Sequence, residues 1–144
     1  AGRPLEFHCT APVRPHRAQQ ILYGPTLEPF LYGEHIGRTL VEKAGAAPVV
    51  ILTDVEPMLC VRSFTNVPVA MVFAEPMTVS TRGVRFSIGA QHLLVLSTHA
   101  ADQAAIETIL GRSAEMIDLV EPFGRIREAI AEAERDAKSR SRAA

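Results

Sequence analysis

Apolar and polar positions change their period several times along the chain, and each change marks an element. Leu5-Glu6-Phe7-His8-Cys9 alternates with a period of two, which predicts a half-buried strand closed by Pro12 and Pro15. Arg17 to Leu22 reads as a short helix. Tyr23-Gly24-Pro25-Thr26 reads as a turn, with Thr26 as the N-cap of a longer helix. That helix carries a broken apolar stripe at Leu27, Phe30, Leu31, His35, Leu40 and Val41, and Gly45 stops it. Gly33 and Gly37, four apart inside it, weaken the helix but predict a close approach of its backbone to a sheet or a second helix.

Val49-Val50-Ile51-Leu52 is a continuous apolar run, which predicts a strand covered on both faces and ending in Thr53-Asp54. Glu56-Pro57 opens a short helical stretch that Asn66 and Pro68 close. Val67 to Phe73 is a second continuous run. Strand, short crossover and strand predict a parallel unit. Met77 to Thr81 and Val84 to Ile88 both alternate around Arg82-Gly83, which predicts an antiparallel hairpin at the sheet edge. His92 to Leu96 is a third buried run, taken as parallel with the other two, and it leads through Ser97-Thr98 into a helix over Ala100 to Leu110 ended by Gly111.

Ser113 is placed to cap a last helix. Met116, Leu119, Val120, Phe123, Ile126, Arg127 and Ile130 recur at helical spacing along it, Pro122 is a possible interruption, and the helix should run to about Ala137. The predicted fold is therefore α/β: a three-layer mixed sheet with parallel central strands, an edge β-hairpin and a long C-terminal amphipathic helix. Residues 1–144 form one domain, with 138–144 as a frayed basic tail.

Composition removes several functional classes. The 144 residues carry 15 Lys+Arg against 16 Asp+Glu, six against six in residues 1–72 and nine against ten in residues 73–144, so the basic excess that phosphate-backbone binding needs is missing from both halves and no nucleic-acid partner is expected. No apolar run approaches the roughly 20 residues of a membrane span, and no membrane partner is expected either. Cys9 and Cys60 lack the spacing of a disulfide scaffold, which together with a charged N-terminal segment favours a cytoplasmic setting. His8, Cys9, His16 and His35 do not form a zinc set, because neighbours on a strand face opposite ways; Cys9 is expected in the core. No metal or other cofactor is expected.

No phosphate loop, dinucleotide fingerprint, nucleophile elbow or Cys-x-x-Cys pair occurs. Chemistry must then come from geometry. Open α/β sheets bind ligands beyond the carboxyl ends of their parallel strands. Three such ends would gather Thr53 and Asp54, Glu75, and Ser97, Thr98 and His99 on one rim. From these, Asp54, Glu75 and His99 are the candidate catalytic residues, a carboxylate orienting an imidazole for acid/base work. Asp54 alone resembles the phosphorylated Asp of signalling receiver domains, but the acidic partners such a site needs after the first strand are absent.

Arg14, Arg17, Gly24 and Thr26, together with Thr53, Ser97 and Thr98, are the candidate ligand-binding residues, since helix starts attract anions. The favoured expectation is a non-catalytic module that binds a small anionic metabolite or a protein partner. The alternatives are a small metal-independent hydrolase, lyase or transferase, and a domain that forms homo-oligomers through its C-terminal helix.

Overall fold

The computed structural model of the chain describes residues 2–74, 78, 82–114 and 116–142. It is a mixed helix-and-sheet protein. Among the described residues four strands, β1 (Ile51–Thr53), β2 (Val69–Phe73), β3 (Gly83–Ile88) and β4 (Gln91–Leu96), form one sheet in the order β1-β2-β4-β3. Among the described residues, five α-helical segments accompany it: α1 (Arg17–Tyr23), α2 (Leu27–Pro29), α3 (Arg38–Lys43), α4 (Asp102–Ala114) and α5 (Glu121–Arg142).

The strand–crossover–strand unit is present as expected. β1 and β2 are parallel, with Ile51 opposite Val69 and Thr53 opposite Met71, and the connection between them contains a 3-10 helix at Glu56–Phe64 with Pro57 in its first turn. The third apolar run departs from expectation. β4 is antiparallel to β2, with Met71 opposite Leu94 and Phe73 opposite His92, so the two central strands are not parallel. A continuous apolar run reports burial on both faces but carries no information about direction.

Gly83–Ile88 forms a hairpin with β4, in which the two-residue connection Gly89-Ala90 makes the turn, with Gly89 at a φ of +58°. The predicted partner strand at 77–81 lies outside the described residues apart from Thr78.

Side-chain alternation along the two central strands divides the core. Ala70, Val72, Leu93 and Val95 point to one face, where Ile106 of α4, Leu119 and Phe123 of α5 join them. Val69, Met71, Phe73 and Leu94 point to the other, against Leu59 and Val61 of the 3-10 helix and Val41 of α3. All five residues of β2 are buried, which explains why both periods vanish from its sequence.

The glycine pair behaves as its spacing predicts. From Pro25 to Lys43 the chain is helical throughout, passing through a π-helical stretch at Phe30–Gly37, and this stretch lies on the 3-10 helix. A Cβ placed on Gly33 would stand 2.6 Å from Cys60 Cβ, and one on Gly37 would stand 2.8 Å from Met58 Sδ. Bare backbone is what permits the contact.

The N-terminal segment is not a strand. Residues 2–16 have no regular structure, and Cys9 is exposed, not in the core. Their short alternation lacks a neighbour to pair with. What fixes the segment is Glu6, whose carboxylate accepts N–H bonds from Ala46 (2.9 Å) and Gly45 (3.0 Å) and contacts His8 Nε2 at 2.6 Å.

The amides of Ala46 and Gly45, and then His8, lower the Glu6 pKa from 4.5 to about 2. A depressed carboxylate stabilises the clasp above its unfolded pKa, and this contribution fades as pH falls from 4.5 towards 2. Hydrogen-exchange protection factors at the Gly45 and Ala46 amides should therefore be high at pH 5 and fall through that window. Glu6→Gln should lower them at pH 5. Protection that is flat with pH would refute the clasp.

At the other end, Asp118 Oδ1 accepts from the Val120 (2.8 Å) and Glu121 (3.2 Å) amides and starts α5, a role expected of Ser113. Pro122 sits in the first turn, where its missing N–H costs nothing, and the helix runs on to Arg142, beyond the expected stop near Ala137. Gly111, with a φ of +25°, makes the break expected of it.

Candidate functional site

The reversal of β4 decides where the polar strand ends go. Thr53 and Asp54 leave β1 at the edge where β2 finishes, whereas β4 delivers Ser97, Thr98 and His99 to the edge where β2 begins. The structure does not bring Asp54 and His99 together. Asp54 instead forms an ion pair with Arg127 of α5. Glu75, the third candidate catalytic residue, lies outside the described residues. Thr53 is buried and its hydroxyl accepts the Val55 amide at 3.0 Å, so it closes the turn after β1.

The expected anion site around Arg14, Arg17, Gly24 and Thr26 is not assembled either. Thr26 is already helical and caps nothing; its hydroxyl donates to the Tyr23 carbonyl at 2.7 Å, and the Leu27 amide is spent on Gly24 O. Arg14 and Arg17 are exposed, and Arg17 reaches only Gln20 at 3.5 Å. The nearby hollow of about 270 Å³ is lined by Val13, Pro15, Leu27, Leu31, Tyr32 and Ile36 with the Glu28 carboxylate, a surface that repels anions.

An open cleft of about 640 Å³ lies at the edge where β2 begins. Arg62, Ser63, Phe64, Thr65, Asn66 and His99 line it. The first five come from the end of the 3-10 crossover and the turn into β2, and His99 comes from the 3-10 turn Ser97–His99 after β4. Ser97 and Thr98, two of the expected ligand-binding residues, are exposed in the same 3-10 turn as His99 but are not among the residues that line the cleft.

One ion pair sets the shape of the cleft. Arg62 Nε and Nη2 donate to Asp102 Oδ2 and Oδ1 at 2.7 and 3.2 Å, and Nη1 donates to the Thr65 carbonyl at 2.7 Å. Asp102 opens α4, is only 5% exposed, and also accepts the Val69 amide at 3.4 Å. The pair thus pins the crossover, the first residue of β2 and the start of α4 to one another. Those three bonds use part of the guanidinium's five N–H groups and leave donors for a ligand.

The remaining lining is polar and donor-rich. Thr65 Oγ1 accepts the Val67 amide at 3.1 Å, which holds the turn. His99 Nδ1 lies 3.1 Å from the Thr98 hydroxyl; with that hydroxyl donating, Nε2–H is the free donor. Phe64 is partly exposed, and the Arg38 guanidinium stands 5.5 Å from its ring centre. Hydrogen bonding to Glu42 raises the Arg38 pKa further above its ordinary range, so that charge is permanent.

In the sequence, Arg62 to Asn66 reads only as the end of a short helical stretch. The available signal was a polar run, Arg62-Ser63 and Thr65-Asn66, between two apolar ones; nothing in the sequence linked it to His99 or Asp102. Among the described residues no three His, Cys, Asp or Glu side chains are grouped to hold a metal ion, and no helix is long and apolar enough to cross a membrane. Comparison with protein-family models, with curated proteins and with solved structures found no match to this chain, so its site is read from its own residues.

Proposed function

We propose that the chain is a non-catalytic binding module whose cleft between the Arg62–Asn66 turn and His99 takes a small anionic ligand. The observation that carries this reading is the lining itself: side-chain donors from two separate parts of the chain converge on one open hollow whose lining residues include no carboxylate, and Asp102, which pairs with Arg62, is buried. An anion would accept from the spare Arg62 N–H groups, the Ser63 hydroxyl, the Asn66 amide and His99. Because Asp102 balances the charge of Arg62, directed donors and not net charge would set specificity. In this reading the helices form outer layers on both faces of the sheet, a three-layer arrangement that leaves this edge open.

Phosphorylated small molecules, screened by thermal shift, should raise the melting temperature through linkage; a ligand at 100 times its Kd adds about 2.7 kcal/mol. Asn66→Ala and His99→Ala should abolish the shift while leaving the unliganded melting temperature nearly unchanged. Arg14→Ala, outside the cleft lining, should keep it. Absence of a shift from every charged compound tried, or a shift indifferent to Asn66 and His99, would remove the proposal.

A further inference from the structure

We infer that the anion taken by this cleft carries a planar aromatic ring, as the phosphate of a nucleotide carries its base, and that the ring stacks on Phe64. This rests on the cleft being the anion site proposed above, and it names the class of ligand.

The position of Phe64 follows from helix geometry. Three residues per turn put side chains three apart on one face of a 3-10 helix, so within Glu56–Phe64 the last residue continues the face of Val61. Val61 is 1% exposed in the core, whereas Phe64 is 41% exposed and lines the cleft. The apolar face therefore runs out of the core at its final turn and ends in the hollow. Arg38 holds the ring there. Its guanidinium lies 5.5 Å from the ring centre and is itself tied to Glu42, one turn further along α3, at 2.7 Å.

A bare anion leaves the site underused. At about 640 Å³ the cleft has the size of small-molecule sites, which run from roughly 300 to 1,000 Å³. Charge adds little, because Asp102 balances Arg62. An anion there exchanges hydrogen bonds to water for hydrogen bonds to side chains, at small net gain.

Apolar contact must then supply affinity, and among the described lining residues Phe64 is the one with a purely apolar side chain. Stacked rings gain more than the area they bury, which an aliphatic group of the same size does not. Ser63 precedes Phe64 in the chain and Asn66 follows two residues later, so a ring on Phe64 brings its anion beside the donors. Ring and anion thus belong to one ligand.

Isothermal titration of the full chain with matched phosphates tests this. Phenyl phosphate should bind about fivefold more tightly than cyclohexyl phosphate, which has similar size but no π face. Adenosine 5′-monophosphate should bind about tenfold more tightly than ribose 5-phosphate. Phe64→Leu should remove both preferences while leaving cyclohexyl phosphate and ribose 5-phosphate bound as before, which also shows that the variant folds. Phe64→Trp should keep both preferences. His99→Ala should weaken all four compounds.

Equal binding of the phenyl and cyclohexyl esters, or a preference indifferent to Phe64, would overturn the inference and leave the anion site standing as long as Asn66 and His99 are still needed. A ring preference that survives without Asn66 and His99 would also overturn it, since ring and anion would then occupy different places. Failure of all four phosphates to bind would remove the anion site and the inference together.

Discussion

Asp102→Ala is expected to destabilise the fold by about 3–5 kcal/mol, the cost of breaking a buried ion pair from one side. For a chain of this length each kcal/mol moves the melting temperature by roughly 2–4 °C, so the loss should approach or exceed 10 °C. Three consequences add up at this residue. The Arg62 guanidinium, only 18% exposed, loses its counter-charge; the Val69 amide loses an acceptor; and α4 loses the acid in its first turn.

Chemical denaturation of Asp102→Ala, Arg62→Met and the double variant measures the coupling. The double variant should be more stable than Asp102→Ala alone, because no charge is then left stranded. Additive losses would mean that the pair does not act as a unit. A loss below about 1 kcal/mol for Asp102→Ala would place the pair with weak surface salt bridges.

The second large effect separates two glycines that the sequence presents alike. Gly33→Ala should destabilise by about 1–3 kcal/mol, the usual cost of overpacking, although alanine is the better helix former. The new Cβ would meet Cys60 Cβ at 2.6 Å and the Cys60 carbonyl carbon at 3.2 Å. The latter is backbone and cannot rotate away, so the helix and the crossover must separate. Gly124→Ala in α5 should do the opposite and stabilise by up to about 1 kcal/mol, because a Cβ there meets nothing within 4 Å. Denaturation midpoints of the two variants should move in opposite directions. If both stabilise, the close packing at Gly33 is not as tight as described.

These experiments also bear on function, since the Arg62–Asp102 pair shapes the cleft. Arg62→Met should empty the site of its strongest donor, but it disturbs the fold as well. Asn66 and His99, which line the cleft outside that pair, are the cleaner probes of binding.

What the amino-acid sequence determined by itself is the set of burial periods and their punctuation. Val67 to Phe73 reads as a strand covered on both faces, and Val69–Phe73 forms one; Gly33 and Gly37 read as a close backbone approach, and the spacing of Phe123, Ile126 and Ile130 as a helix. Local stops were legible too, at Gly111 and, with its role revised, at Pro122.

Tertiary structure decided direction and partnership. Burial has no sign, so the run at His92 to Leu96 looked the same whether parallel or antiparallel, and the two-residue turn at Gly89-Ala90 reversed it. That reversal sent His99 away from Asp54 and placed it near Arg62, 37 residues earlier in the chain. Alternation at Leu5 to Cys9 promised a strand that no neighbour received, and Glu6 became a clasp on a distant loop instead. Hydrogen bonds and ion pairs between distant segments follow from where strands pair, which period and propensity along one segment do not encode.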